Sequence, residues 1–221
     1  MWINRWRRFV MAQRTIHYLF GELFSKQIEL KDKQRFLLGS VLPDAYAKGS
    51  ERYKTHYIVK TDTQVYFDFS IFRNQYAELI CTDDLYLGYY MHLVEDAFYR
   101  QFLYSDRVIR SRSPEEVAML HIDYHILNSH IVNNYQLQNA LTDSFDLENE
   151  AINDIAEFRV NEFLNDMSGD FMDQTTGTTR FLTEALLDVF IEEYVSLGIR
   201  ELQSVRSGST LLRPIDFAWQ R

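Results

Sequence analysis

The stretch LYLGYYMHLVEDAFY, residues 85–99, decides how this chain is read. It is apolar and aromatic nearly throughout, which fits a helix buried on most of its surface. Yet it carries His92 and Asp96, four residues apart. On a helix, residues at that spacing stack one turn apart on one face. The stripe through them is Leu85, Tyr89, His92, Asp96, Tyr99 and Leu103, so the pair faces the core. A carboxylate in a core is costly unless it is paired or bound to a metal. Two readings follow: a satisfied His–Asp hydrogen bond inside a bundle, or an H-x-x-x-D pair that chelates a divalent cation from one helix face.

Working outward, the pattern stays helical. Residues 14–27 place Leu19, Phe20, Leu23 and Phe24 at helical spacing. Residues 33–40 predict a short helix that Gly39 and Pro43 stop. Residues 44–62 show no clean period and read as a long loop, a kind of segment that is usually functional or disordered. Residues 64–80 predict a helix, and Thr82 or Asp83 caps the next one, which runs to about Tyr104. In SPEE, residues 113–116, Ser113 caps, Pro114 opens the helix and Glu116 closes a capping box. The helix behind it carries Val117, Leu120, Tyr124, Leu127 and Ile131 on one stripe. Residues 147–165 predict another helix, and residues 165–179 a polar loop. A closing helix spans 179–204, with Leu182, Leu186, Val189, Phe190, Tyr194 and Leu197 on one side. The tail after Gly208 is weakly determined.

The expectation is an all-α chain: a single helical domain of about six or seven helices over residues 11–221, with residues 1–10 an N-terminal extension and Met11 an alternative start. Only 3 prolines and 8 glycines occur in 221 residues, which favours long elements over a turn-rich sandwich. The one cysteine, Cys81, excludes a disulfide framework or thiolate zinc cage, agrees with a reducing compartment, and reads as a small buried residue. No apolar run approaches the ~20 residues of a membrane span. The basic start lacks the apolar core of a signal peptide, and the expected location is cytoplasmic. Net charge is −9, which argues against a stable nucleic-acid complex. Residues 1–60 hold 12 Lys/Arg against 5 Asp/Glu, and this basic quarter suits a small anionic substrate.

Other chemistry-bearing residues precede the stretch. His17 lies on the first helix, Asp44 follows Pro43, and His56 sits in the 44–62 segment. Singly, each has a plain role: a core or rim histidine, a turn residue, a surface histidine. Together they form an ordered series, H…PD…H…HxxxD. The blocks RTIHYLFGELF, FLLGSVLPDAY, KTHY and GYYMHLVEDAFY resemble the zinc-dependent phospholipase C family in motif order, over roughly residues 11–105. That family is all-helical and shares its fold with zinc-dependent single-strand nucleases. The resemblance implies that His56, His92 and Asp96 bind one zinc. Asp44 completes that site or acts as the base that orients water. His17 binds a second zinc, with Asp96 bridging, so the implied cofactor is one or two zinc ions.

The secreted members of the family also use their N-terminal amine and a third zinc held by two histidines and a glutamate. Here the chain continues before His17, and residues 97–112 hold no histidine. His121 and His125, four apart with Asn128 a turn further on, are candidates for an additional metal or pocket position. The alternative is a half-exposed polar edge of an amphipathic helix, and that alternative is preferred. Asp123 points elsewhere, and His130 reads as a surface residue. Tyr89 and Tyr99 flank the His92–Asp96 pair. Glu95 reads as solvent-facing, with support of a ligand histidine as the alternative. Phosphate-loop, dinucleotide and nucleophile-elbow motifs are absent, as is the adjacent His-Asp pair of HD-type phosphohydrolases. The expected function is zinc-dependent hydrolysis of a phosphoester through metal-activated water. The alternative is a non-catalytic helical protein with a residual structural metal or ligand-binding site.

Overall fold

A computed structural model describes residues 13–47, 51–104, 108–109, 113–173 and 175–220. The proposed extension and the alternative start lie outside the described residues. The described chain is mostly helical. Its α-helices are α1 (Arg14–Ser25), α2 (Lys33–Val41), α3 (Arg52–Thr55), α4 (Phe69–Gln75), α5 (Ala77–Thr82), α6 (Asp84–Phe102), α7 (Pro114–Asn134), α8 (Val160–Met167) and α9 (Glu184–Arg206). The count exceeds the expected six or seven because α3, α4 and α5 have only 4, 7 and 6 residues.

The helix α6 is the axis of the fold. Asp83 caps it by accepting from the Leu85 amide, and Arg35 holds that carboxylate through two nitrogens. Nearly every residue from Asp84 to Phe102 is buried, so α6 is covered on all sides rather than along one stripe. From α9, the Tyr194 hydroxyl donates to the Met91 carbonyl, and Phe190 stacks on Phe98, meets Tyr99 edge-on and lies tilted against Phe102. From the other side α2 crosses α6 at backbone contact. A Cβ on Gly39 would lie 2.1 Å from the Leu85 carbonyl oxygen, and one on Gly88 would lie 2.2 Å from that of Phe36. The expected stop at Gly39 is therefore corrected: Gly39 lies within α2 and serves the crossing. The helix runs on to Val41, and Leu42–Asp44 tightens into a 3-10 turn containing Pro43.

Several other expectations need correction. Residues 64–80 are not one helix. Gln64–Phe67 forms β2, with Val65 and Phe67 inward, and α4 and α5 follow. Alternating β-branched and aromatic residues suit a half-buried strand. The strand β1 (Ile58–Lys60) arises inside the expected loop and pairs antiparallel with β2, Val59 opposite Tyr66. The tail adds β3 (Trp219–Gln220) on the other edge of β2, so an otherwise helical fold carries a small three-stranded sheet. Residues 147–165 also fail to form one helix: a 3-10 turn (Ala151–Asp154) precedes α8. Between them the Ala47 amide donates to Glu157 and the Arg159 amide to Ala45, and these extended pairings exclude a helical ladder there. The closing helix starts at Glu184, not 179. Asp123 accepts from the amides of Arg180, Phe181 and Leu182, which holds that approach extended until Thr183 caps α9. Val189, expected inside, is exposed. Cys81 is exposed rather than buried. The capping box at Ser113 and the buried stripe of α7 are as expected.

The glycine crossing gives a direct test. In Gly88→Ala the new methyl meets a backbone oxygen that cannot rotate away. Unfolding stability should fall by about 3 kcal/mol or more, at the upper end of overpacking costs, as read from a denaturant melt. Wild-type stability in that variant would show that the crossing is looser than described.

Candidate metal centre

Five side chains from four stretches of chain meet beside the crossing. His17 comes from the middle of α1, Asp44 from the turn after α2, His56 from the end of α3, and His92 and Asp96 from α6. The three histidines and Asp96 are buried, and the Asp44 side chain is 15% exposed.

The ring nitrogens are sorted by their neighbours. Nδ1 of His92 is 2.8 Å from the Ser40 carbonyl oxygen, and Nδ1 of His56 is 3.2 Å from that of Arg52. A carbonyl only accepts, so Nδ1 of His92 carries the proton and its Nε2 presents the lone pair. Nδ1 of His56 also lies 2.9 Å from the Thr55 hydroxyl, which can donate or accept, so either nitrogen of that ring can carry the proton. Nδ1 of His17 lies 3.0 Å from Oε2 of Glu95, an ion-pair contact without hydrogen-bond geometry. Metal-binding histidines are oriented in this way, with the far nitrogen tied to a carbonyl or carboxylate. The Nε2 atoms of His56 and His92 stand 3.2 Å apart. A proton on Nε2 of His56 or a cation between the two nitrogens accounts for an approach that close. Nε2 of His17 is buried and has no hydrogen-bond partner among the described residues.

Both aspartates divide their oxygens. Asp96 turns Oδ2 toward His56 (3.5 Å) and His92 (3.7 Å), and Oδ1 toward His17 (3.7 Å). Asp44 turns Oδ1 toward His56 (3.3 Å) and Oδ2 toward His17 (3.8 Å). Ligand atoms ~2.0–2.2 Å from a tetrahedral zinc stand about 3.3–3.6 Å from one another. The observed separations bracket that range. Two groups have ligand atoms within 4.8 Å of one another: His56, His92 and Asp96, and His17, Asp44 and His92. The donor set of imidazoles and carboxylates suits zinc, and the residues fit one or two such ions.

Burial disfavours charge on every member of the cluster. For His17 burial lowers the pKa, but Glu95, Asp96 and Asp44 outweigh it and raise the value to about 9. His92 stacks on His17 with ring centroids 3.8 Å apart, and burial together with that neighbour pushes it well below the usual imidazole range. Burial raises Glu95 to about 7 against the pull of His17. Asp96 also rises through burial. Asp44 goes down, because His56, His92 and His17 outweigh its burial.

Asp44 also reaches a cleft of about 250 Å³, walled by Arg14, Arg52, His121, His125 and Asn128 among others. His121 and His125 stand exposed at its rim, outside both groups of converging ligand atoms. His125 pairs instead with Asp173 at 2.9 Å. The half-exposed polar edge is thus what the structure places there, now bordering the cleft. His56 is no surface histidine, since it is fully buried. Glu95 is no solvent-facing glutamate: it is 2% exposed and supports His17. His130, read as a surface residue, has a side chain only 10% exposed, near Glu184 and Asp188 of α9. Tyr89 donates to the Thr55 carbonyl, 2.7 Å away, and so ties α3 to α6. Tyr99 donates to Tyr124. Sequence reasoning did not find Arg52 or Ser40. The only signal for either is position, Arg52 four residues before His56 and Ser40 four before Asp44.

Compared with protein-family models, with curated proteins and with solved structures, the chain matches none. The reading of the centre therefore rests on its geometry.

Two outcomes follow from that geometry. Glu95→Gln keeps the size of the group but loses the charge that aligns His17, and zinc affinity should drop about 10–100-fold, measured by competition with a chelating dye. Zinc uptake should also release protons, because a ligand must present a bare lone pair. With its pKa raised to about 9, His17 is protonated at neutral pH. Affinity should rise with pH from 6 and level off near 9, and calorimetry in buffers of different ionisation enthalpy should detect the released proton. Buffer-independent heats would contradict a role for His17 as ligand.

Proposed function

We propose that this chain is a zinc-dependent hydrolase of phosphoesters, phosphodiesters in the first instance. We also propose that its helices follow the arrangement of the zinc-dependent phospholipases C and single-strand nucleases. The observation that carries the reading is the convergence of three Nε2 atoms, with Nδ1 of His92 and His56 on backbone carbonyls and Nδ1 of His17 beside Glu95, on two aspartates that split their oxygens. The substrate is a small anionic phosphoester taken up by the cleft beside Asp44, and no stable nucleic-acid complex is proposed. None of the described helices is long and apolar enough to cross a membrane; a cytoplasmic location is part of this proposal.

Bound zinc would supply Lewis acidity toward a phosphoryl oxygen and lower the pKa of a water. His56, His92 and Asp96 would hold one ion, and His17 with the far oxygens of Asp96 and Asp44 a second. The remaining work belongs to the chain. Asp44 is ionised and sits where the cluster meets the cleft, so it can accept a hydrogen bond from the attacking water and align it with phosphorus. As the new P–O bond forms and the leaving P–O bond breaks, the water's proton passes by way of Asp44 or solvent to the departing oxygen. The Nδ1 anchors keep the imidazoles from turning during this exchange. The cleft walls hold the ester so that the reaction is effectively intramolecular.

A second reading, a structural metal without turnover, is favoured by one observation: of the five residues only Asp44 is not fully enclosed. Asp44→Asn separates the two. A hydrolase should lose about 10²–10⁴-fold in turnover with its melting temperature nearly unchanged, whereas a structural site should lose stability instead. The prior experiment is elemental analysis of protein purified without chelator, beside His92→Ala, followed by a screen of phosphodiesters and phosphomonoesters. Zinc in the wild type, lost in the variant, supports the centre. Stoichiometric zinc with no hydrolysis of any ester overturns the catalytic half. No zinc and no uptake on addition overturns the whole reading.

A further inference from the structure

A second cavity, of about 270 Å³, is lined by α4, α5, the end of α9 and the turn that follows it. It shares no lining residue with the metal centre or with the cleft beside Asp44. Arg73 of α4 is the one charged residue in its wall, and no carboxylate lines it. Arg73 is half-buried, and its Nη1 is enclosed with no hydrogen-bond partner. Among the described residues Arg73 has no ion pair, hydrogen bond or ring contact. Every other described arginine has such a partner, as Arg35 has Asp83, Arg206 has Asp84 and Arg100 has the Trp219 ring. A guanidinium drawn partly out of water without an acceptor gives up hydration and gains no bond in exchange. The buried carboxylate of Glu201, which holds the turn after α9, does not supply one. Its oxygens accept from the Tyr90 and Thr210 hydroxyls, each at 2.7 Å, and from the Leu211 amide at 2.8 Å.

We propose that this cavity binds a small organic carboxylate, its head group on the Arg73 guanidinium and its short aliphatic body against Ala77, Ile80 and Val205. The proposal is independent of the zinc reading. A planar guanidinium offers parallel N–H donors that match the two oxygens of a carboxylate. The single positive charge of the wall balances a monoanion, whereas a phosphate dianion would keep an uncompensated charge beside apolar surface. The aliphatic residues around one charged group give the usual make-up of a small-molecule site, in which apolar contact binds and a few polar groups orient. The wall formed by the turn is set in advance. Gly208 takes a φ of 79°, and the Ser209 amide and hydroxyl both donate to the Ser204 carbonyl, at 3.0 and 3.1 Å. A ligand entering there need not order that segment, which lowers the cost of binding.

Cys81 provides the test, because it is the chain's one cysteine, it is exposed, and it stands in the cavity wall. Its rate of reaction with N-ethylmaleimide reports whether the cavity is filled. Butyrate, at ionic strength matched with sodium chloride, should slow labelling of the full-length protein to a saturating limit, and n-butanol at the same concentrations should not. Arg73→Gln, with helicity and melting temperature checked, should need about 10–100-fold more butyrate for the same protection, the value of one charge-assisted pair. Arg73→Lys keeps the charge but loses the fork, and should need several-fold more. Butyrate that never slows labelling overturns the proposal, as does equal protection of the folded glutamine variant. Equal protection by butanol also overturns it, since the cavity then takes apolar molecules without using Arg73. That comparison needs only the wild type, so it decides the matter if the glutamine variant does not fold.

Discussion

The centre depends on how closely α2 and α6 approach. Gly39 and Gly88 remove the two side chains that would hold the helices apart, and backbone meets backbone. Glycine inside a helix costs roughly 0.5–1 kcal/mol relative to alanine, so two of them at one crossing need a return. The return is geometric. The approach brings the Ser40 carbonyl to 2.8 Å from Nδ1 of His92, and it delivers the turn that ends α2 directly over the His92–Asp96 face. Asp44 reaches the cluster because the last turn of α2 is pressed against α6. A wider crossing would leave His92 without its anchor and carry Asp44 out of reach of His56.

The electrostatics make the same point from another direction. Three buried imidazoles and three carboxylates, counting Glu95, share one low-dielectric space. Carboxylates there are stable only beside positive charge. Imidazoles could supply it by protonation, but His17 and His92 stack face to face at 3.8 Å and cannot both be charged cheaply. His17 takes the proton, and His92 is driven the other way. Protons alone leave Nε2 of His17 without a hydrogen-bond partner among the described residues. A divalent cation among the Nε2 atoms satisfies lone pairs and carboxylates together. Strained buried clusters of this kind concentrate at functional sites, which supports the proposed metal centre over a core hydrogen bond.

What could be read from the sequence was local. The periodicity of α6 and α7, the box at Ser113 and the H-x-x-x-D pair depend on residues within one or two turns of each other. What could not be read was set by distant chain. Residues 157–159 look helical until Ala45 and Ala47 claim their amides and carbonyls. Val65 and Phe67 look like part of a helix until β1 and the C-terminal Trp219 pair on either side. Glu95 looks solvent-facing because a surrounding of helices on every side of α6 is not visible in a single period. Gly39 was misread for a related reason. A glycine near a helix end signals a stop only when its φ is positive, whereas here it signals contact.

The short helix α3 joins the two halves of the proposed chemistry. One turn of chain, Arg52–Thr55, sets the Arg52 carbonyl 3.2 Å from Nδ1 of His56 and places Arg52 in the wall of the cleft. Tyr89 fixes that turn to α6 through the Thr55 carbonyl, while its ring stacks on Phe72 at 4.5 Å. After His56 the chain reverses at Tyr57, whose φ of 50° is costly for an aromatic residue. That strain is held in place by β1, which begins at once and pairs with β2. The small sheet is then more than an addition to a helical fold. It holds the strained turn that keeps His56 among the clustered histidines and aspartates and Arg52 in the cleft wall, so the candidate centre and the cleft beside it are positioned by the same few residues.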